Sequence, residues 1–160
     1  MTFQPQFCDQ LSIISGEEKV LDIFNHGRFN HMPQLVGKEI FSGDQWLISK
    51  TGNSYKLSTE FLDRTVWLDV IEGGLFDGLL IMVPEDKYTG RLWQIEENTQ
   101  GENLFKISTN FRGNKKFIDI YQNGNFNNMP YITYETNARG QLWNIETSKH
   151  NVLKSTMEID

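Results

Sequence analysis

An all-β domain built from three copies of one unit, closed so that no sheet edge is left free, is the fold class this sequence predicts. Three observations predict it. First, an apolar–Asp–apolar triplet is followed three times by a tryptophan 24 residues on: Asp22 to Trp46, Asp69 to Trp93 and Asp119 to Trp143. Second, the residues between recur in step: Gly27/Gly74/Gly124, Phe29/Phe76/Phe126, Asn30/Asp77/Asn127, Met32/Leu79/Met129 and Leu35/Met82/Ile132, at repeat intervals of 47 and 50 residues. Chance does not align so many positions across three windows, so one unit is repeated. Third, the apolar residues alternate with polar ones at the two-residue period of half-buried strands, and 13 glycines against 4 prolines suit short strands joined by turns.

Each unit supplies four strand signals. The first is Tyr55 to Phe61 in the second copy and Phe105 to Phe111 in the third, with a less regular match from Cys8 to Ile14 in the first. The second is Trp67 to Ile71 and Phe117 to Tyr121, followed by the turn signals Glu72-Gly73-Gly74 and Gln122-Asn123-Gly124. Pro33 to Val36, Leu80 to Val83 and Pro130 to Thr133 give the third, and the closing Gly-x-x-Trp-x-Ile gives the fourth. No segment sustains a helical apolar period with caps.

Four strands in each of three units make twelve, and closure removes exposed edges. The fold that satisfies both is a β-trefoil, a six-stranded barrel capped by three hairpins with pseudo-threefold symmetry. One domain over residues 1–147 is expected, with repeats at about 7–50, 54–97 and 104–147 and a tail at 148–160. Trp46, Trp93 and Trp143, with Leu21, Leu68 and Ile118, are expected in the core near the axis. The glycine three residues before each Trp (Gly43, Gly90, Gly140) is expected in a turn with φ > 0.

Composition narrows the function. A net charge of −6 over 160 residues argues against nucleic acid and anionic membrane surfaces as partners. Cys8 is the only cysteine, so no internal disulfide can form. The first residues carry neither a charged n-region nor an apolar h-region, so no secretory signal is expected. No apolar run reaches the length of a membrane span. A cytoplasmic, reducing compartment is the default, with leaderless export left open.

The pattern Leu-Asp-x … Asn-x-x-Pro … Gly-Gln-x-Trp, in three copies over roughly residues 7 to 147, resembles the ricin B-type (Gln-x-Trp) β-trefoil lectins. The resemblance implies a carbohydrate-binding protein with up to three shallow glycan sites. Each site would combine the strand Asp, a loop aromatic and an amide just before the Trp. A carboxylate accepts hydrogen bonds from two neighbouring sugar hydroxyls, and a ring covers the apolar face of the pyranose. Carried over residue by residue, the third copy is the most complete, with Asp119, Tyr134, Gln141 and Asn127. The first copy offers Asp22, Asn30 and Phe41, and the second Asp69 and Tyr88; their rings stand five residues before the Trp, where the third has Ala138. Fifteen residues past Asp22 and Asp69 stand Gly37 and Pro84, and the Gln of Gln-x-Trp is replaced by Asp44 and Arg91.

Each of these residues also has a structural reading. An Asp between apolar residues on a strand can spend its carboxylate on a nearby backbone amide. Asn30 and Asn127 read first as turn residues. His26 and His31 lack a third ligand, so no metal or other cofactor is expected. No nucleophile elbow, phosphate loop or Cys–His arrangement is present, so catalysis is not expected. Two functional classes follow: a lectin whose partners are glycans, with a homodimer as a further assembly, or a protein-binding trefoil such as a protease inhibitor or a scaffold or toxin-associated module. Clustered Asp, ring and amide around an open cavity favour the first, and aspartates spent on turn hydrogen bonds favour the second.

Overall fold

The structure is a computed structural model that describes residues 9–13, 19–37, 46–84, 91–98 and 104–147. Within them lie twelve strands, four per repeat. The first repeat holds β1 (Asp9–Ile13), β2 (Lys19–Ile23), β3 (Pro33–Gly37) and β4 (Leu47–Thr51). The second holds β5 (Ser54–Phe61), β6 (Arg64–Val70), β7 (Leu80–Pro84) and β8 (Gln94–Glu97). The third holds β9 (Leu104–Phe111), β10 (Asn114–Ile120), β11 (Pro130–Thr133) and β12 (Trp143–Thr147). The only helical pieces among the described residues are two 3-10 turns, Gly124–Phe126 and Arg139–Gln141. No described helix is long and apolar enough to cross a membrane.

All pairings are antiparallel. The six strands of the β-trefoil barrel are joined by β1–β12, β12–β9, β9–β8 and β4–β5, and by a bridge between Tyr55 and Trp93 that links β5 to the start of β8; no β1–β4 pair occurs among the described residues. The hairpins β2–β3, β6–β7 and β10–β11 form the cap. Cys8, Gly43, Gly90, Phe41, Tyr88 and the segment 148–160 lie outside the described residues.

The second strands begin earlier than the sequence pattern suggests, at Arg64 and Asn114 instead of Trp67 and Phe117. Two-residue turns cause this. Phe61 pairs with Arg64 across Leu62-Asp63, and Phe111 with Asn114 across Arg112-Gly113. Both central residues of each turn are left-handed, with φ of 51° and 63° at Leu62 and Asp63 and 52° and 80° at Arg112 and Gly113. Leu-Asp carries no turn signature, because such turns favour Asn-Gly. The left-handed region costs most side chains about 1–2 kcal/mol per residue. Leu62→Asn combined with Asp63→Gly should therefore raise stability by about 1–2 kcal/mol, read as a higher urea midpoint at unchanged slope.

Threefold repetition extends to single hydrogen bonds. The loops between second and third strands each use a left-handed glycine, Gly27, Gly74 or Gly124, at φ of 78°, 75° and 78°. Four residues on, His31, Gly78 and Asn128 are also left-handed. That conformation turns each carbonyl toward the neighbouring hairpin. Met82 N–H donates to His31 O (2.8 Å), Ile132 N–H to Gly78 O (3.0 Å) and Leu35 N–H to Asn128 O (2.8 Å). The cap is thus three hairpins, each tied to the next.

Two apolar clusters fill the interior. The main core holds Trp46, Trp93 and Trp143, exposed to 0%, 0% and 1%, with Leu21, Leu68 and Ile118. Each indole satisfies its N–H on the carbonyl of the residue before the repeat's Asp: Leu21 (3.1 Å), Leu68 (3.3 Å) and Ile118 (3.3 Å). The second cluster gathers Met32, Leu79 and Met129 under the cap. Phe29, Phe76 and Phe126 close it as a triangle of mutually tilted rings, with centroids 5.6, 5.9 and 5.7 Å apart.

Candidate functional site

The three aspartates occupy equivalent places on β2, β6 and β10, on the face opposite the core residues beside them. One carboxylate oxygen of each accepts from the backbone N–H of the next residue. The distances are 2.8 Å from Ile23 to Asp22, 2.7 Å from Val70 to Asp69 and 2.7 Å from Ile120 to Asp119. The structural use of the carboxylate, read from its apolar neighbours, is therefore present in all three copies. What else the carboxylate bonds separates them.

In the third copy Asp119 and Gln141 do come together, and both are buried, exposed to 7% and 0%. Gln141 Nε2 donates to Asp119 Oδ2 (3.2 Å) and to the carbonyl of Tyr134 (2.9 Å), while its Oε1 accepts from Thr136 N–H (2.9 Å). Lys106 Nζ adds bonds to Glu135 Oε2 and to Thr136 O, both 2.9 Å. The loop from Tyr134 to Leu142 is thus pinned over the carboxylate. Gly140 makes this approach possible: a Cβ there would stand 2.3 Å from Asp119 Oδ1. Its φ is not positive, which corrects the sign of φ expected for it in this turn. Gly140 lies in a 3-10 turn, and closeness to Asp119 is what demands glycine.

The convergence is closed, where an open pocket was expected, and the Tyr134 ring is not part of it. Tyr134 is 61% exposed, with Lys116 Nζ lying 5.1 Å from its ring centroid. Asn127 and Asn30 are exposed and shape their loops by donating backbone N–H groups to Gly124 O (3.2 Å) and Gly27 O (3.1 Å). No hydrogen bond among the described residues ties Asn127 to Asp119 or Gln141.

In the second copy Arg91 stands where the third has Gln141, and it occupies the carboxylate. Arg91 Nε meets Asp69 Oδ1 at 2.7 Å, and Nη1 donates to Asn110 O (2.8 Å). The guanidinium thus fastens the second repeat to β9. In the first copy Asp22 is half-buried and, among the described residues, accepts only from Ile23. Burial pushes the Asp22 carboxyl above its ordinary value, partly offset by that hydrogen bond. A carboxyl raised in the folded state takes up its proton more readily there than when unfolded. Its contribution is most favourable in acid and is lost as pH rises through the folded value. Asp22→Asn keeps an oxygen for Ile23. It should therefore be more stable than wild type at pH 7, with the advantage fading as pH falls through the raised folded value and gone below the ordinary Asp range, measured by urea unfolding at pH 7 and in acid below that range.

Sequence reasoning missed the buried Lys106, the Gly140 contact and a stacked pair, Tyr121 and Tyr131, beside Asp119. A signal existed for Lys106. It repeats at Lys56 in the second copy, and each ammonium lies over the ring across the strand pair, Phe117 at 5.8 Å and Trp67 at 6.0 Å. His26 bonds Asn25 and His31 packs against Phe61, and no cluster of three metal-ligating side chains occurs among the described residues.

This architecture is that of known proteins. The chain superposes on a ricin B-like lectin from Macrolepiota procera, solved in complex with lactose, with a TM-score of 0.69 and 19% identity over 92% of this chain and 99% of that one. A mosquitocidal holotoxin matches with a TM-score of 0.72 and 17% identity over 92% of this chain; the chain spans 18% of the holotoxin's length. A proteinase inhibitor from Coprinopsis cinerea matches with a TM-score of 0.65 and 11% identity, over 91% and 99% of the two chains. No family model and no curated protein matches the sequence. The chain has the β-trefoil fold of the ricin B-like lectins, a fold that these neighbours put to different uses.

Proposed function

We propose that this chain is a lectin that binds glycans through shallow sites on its repeats and catalyses no reaction. The observation that carries the reading is the strand carboxylate repeated at one place in all three copies, where the next backbone amide takes one oxygen and, at Asp22 and Asp69, no bond among the described residues takes the other. A group fixed in this way accepts sugar hydroxyls without paying to be ordered. The lactose complex of the Macrolepiota procera lectin, on the same fold, supports the reading. The third site is centred on Asp119, the first on Asp22 with Asn30 in the adjoining loop, and the second on Asp69. The Arg91 pair makes the second the weakest. Wet, open sugar sites are individually weak, and several per chain, or a second copy of the chain, multiply them by avidity.

A protein-binding trefoil is the second reading. It is favoured by the burial of Asp119 and Gln141 and by the Asp69–Arg91 pair, which spend carboxylates inside the fold. An array of immobilised neutral and acidic oligosaccharides, probed with the chain displayed as a streptavidin tetramer, separates the two. The lectin reading expects a restricted set of bound glycans competed by free sugar, and a blank array overturns it.

A further inference from the structure

On the outer face of the third hairpin, Asp119 has two aromatic neighbours. Asp119 on β10 stands directly opposite Tyr131 on β11, and Tyr121 follows two residues after Asp119, so the three side chains leave the same side of the hairpin. The Tyr121 and Tyr131 rings stack with centroids 3.9 Å apart and planes 17° from parallel. Burial, then the nearby Asp119 carboxylate and Tyr121, holds the Tyr131 phenol above its ordinary range. The equivalent places hold Phe24 and Gln34 in the first copy and Ile71 and Ile81 in the second.

The pair does more than cap the apolar cluster. The second copy does that job with two isoleucines, and both tyrosines pack on the same Met32, Leu79 and Met129 group while staying partly exposed. Packing from below fixes the rings, so little conformational freedom is lost when something lies on them. Tyrosine adds what isoleucine lacks, a flat π face with a hydroxyl at its edge. Tyr134, in contrast, meets the Asp119 network only through its carbonyl, and its ring lies by Lys116.

Resting on the glycan-binding reading, we propose that the sugar platform of the third repeat is the stacked Tyr121–Tyr131 pair, with the Tyr134 ring outside the site. A hexopyranose lies with its C–H face on the ring face of the pair that is turned away from its stacking partner, and its hydroxyls reach the two phenols.

The test is Tyr121→Ile with Tyr131→Ile, which installs the residues the second repeat already uses there. Wild type, this double variant and Tyr134→Ile are run on the same oligosaccharide array. The proposal expects the double variant to lose one set of bound glycans, about tenfold weaker in apparent affinity, while Tyr134→Ile keeps the wild-type profile. Superimposable profiles for wild type and the double variant overturn the proposal and leave the glycan-binding reading standing. A wild type that binds no glycan overturns both. Should the double variant not fold, wild type labelled with 3-fluorotyrosine and titrated with its strongest array glycan gives the answer. Shifts at Tyr121 and Tyr131 support the platform, and a shift confined to Tyr134 overturns it.

Discussion

Trp93→Ala is expected to lose about 3–5 kcal/mol of stability, the range for truncating a large buried aromatic. Trp93 is exposed to 0% and is one of three rings that fill the barrel around the pseudo-threefold axis. Its removal opens a cavity where the flanking strands cannot collapse, because Trp93 N–H and carbonyl both bond Tyr55 at 2.8 Å and hold the backbone in place. The same change strips the Leu68 carbonyl of its indole donor. Against the 5–15 kcal/mol typical of a domain this is a large fraction, and it should lower the melting temperature by roughly 10 °C. Chemical denaturation of the variant checks it, and a loss below about 1 kcal/mol would mean that the ring is not core.

Gly140→Ala should cost about 1–3 kcal/mol, the price of overpacking a closed site. The added methyl would stand 2.3 Å from Asp119 Oδ1 and 3.3 Å from Ile120 N, so the 3-10 turn or the carboxylate has to shift. A shift breaks the bond between Gln141 and Asp119, and both partners are buried. The cost should be largely relieved when Asp119 is first replaced by Ala, and a double-mutant cycle measures this coupling. Strictly additive losses would show that the two residues do not press on one another.

The fold was legible in the sequence because its cause is a period. The 24-residue step from Asp to Trp places a strand carboxylate and a core indole at fixed points of every repeat. The structure joins them through the carbonyl of Leu21, Leu68 or Ile118. The start of β6 was not legible, because the Leu62-Asp63 turn holds two unfavourable left-handed residues and announces itself by no glycine or asparagine. At the site, the resemblance identifies Asp119 and Gln141 but not that they satisfy each other in the interior. Gln141 is polar and, by type, belongs at the surface. Its burial follows from three hydrogen bonds, two with the Tyr134–Thr136 loop and one with Asp119 on β10, and no local pattern encodes them. Arg91, in the place of a glutamine, reads as a simple departure until its reach to Asp69 and Asn110 is seen.

Calorimetric titration of the full chain with its strongest array glycan tests the central claim most directly. The lectin account predicts saturation at between one and three sugars per chain. It also predicts that Asp119→Asn, shown folded by its far-UV circular dichroism, weakens one of those sites about tenfold or more, the loss of charge-assisted hydrogen bonds. Isotherms left unchanged by asparagine at Asp22, Asp69 and Asp119 in turn would contradict it, because the carboxylates would then serve the fold alone.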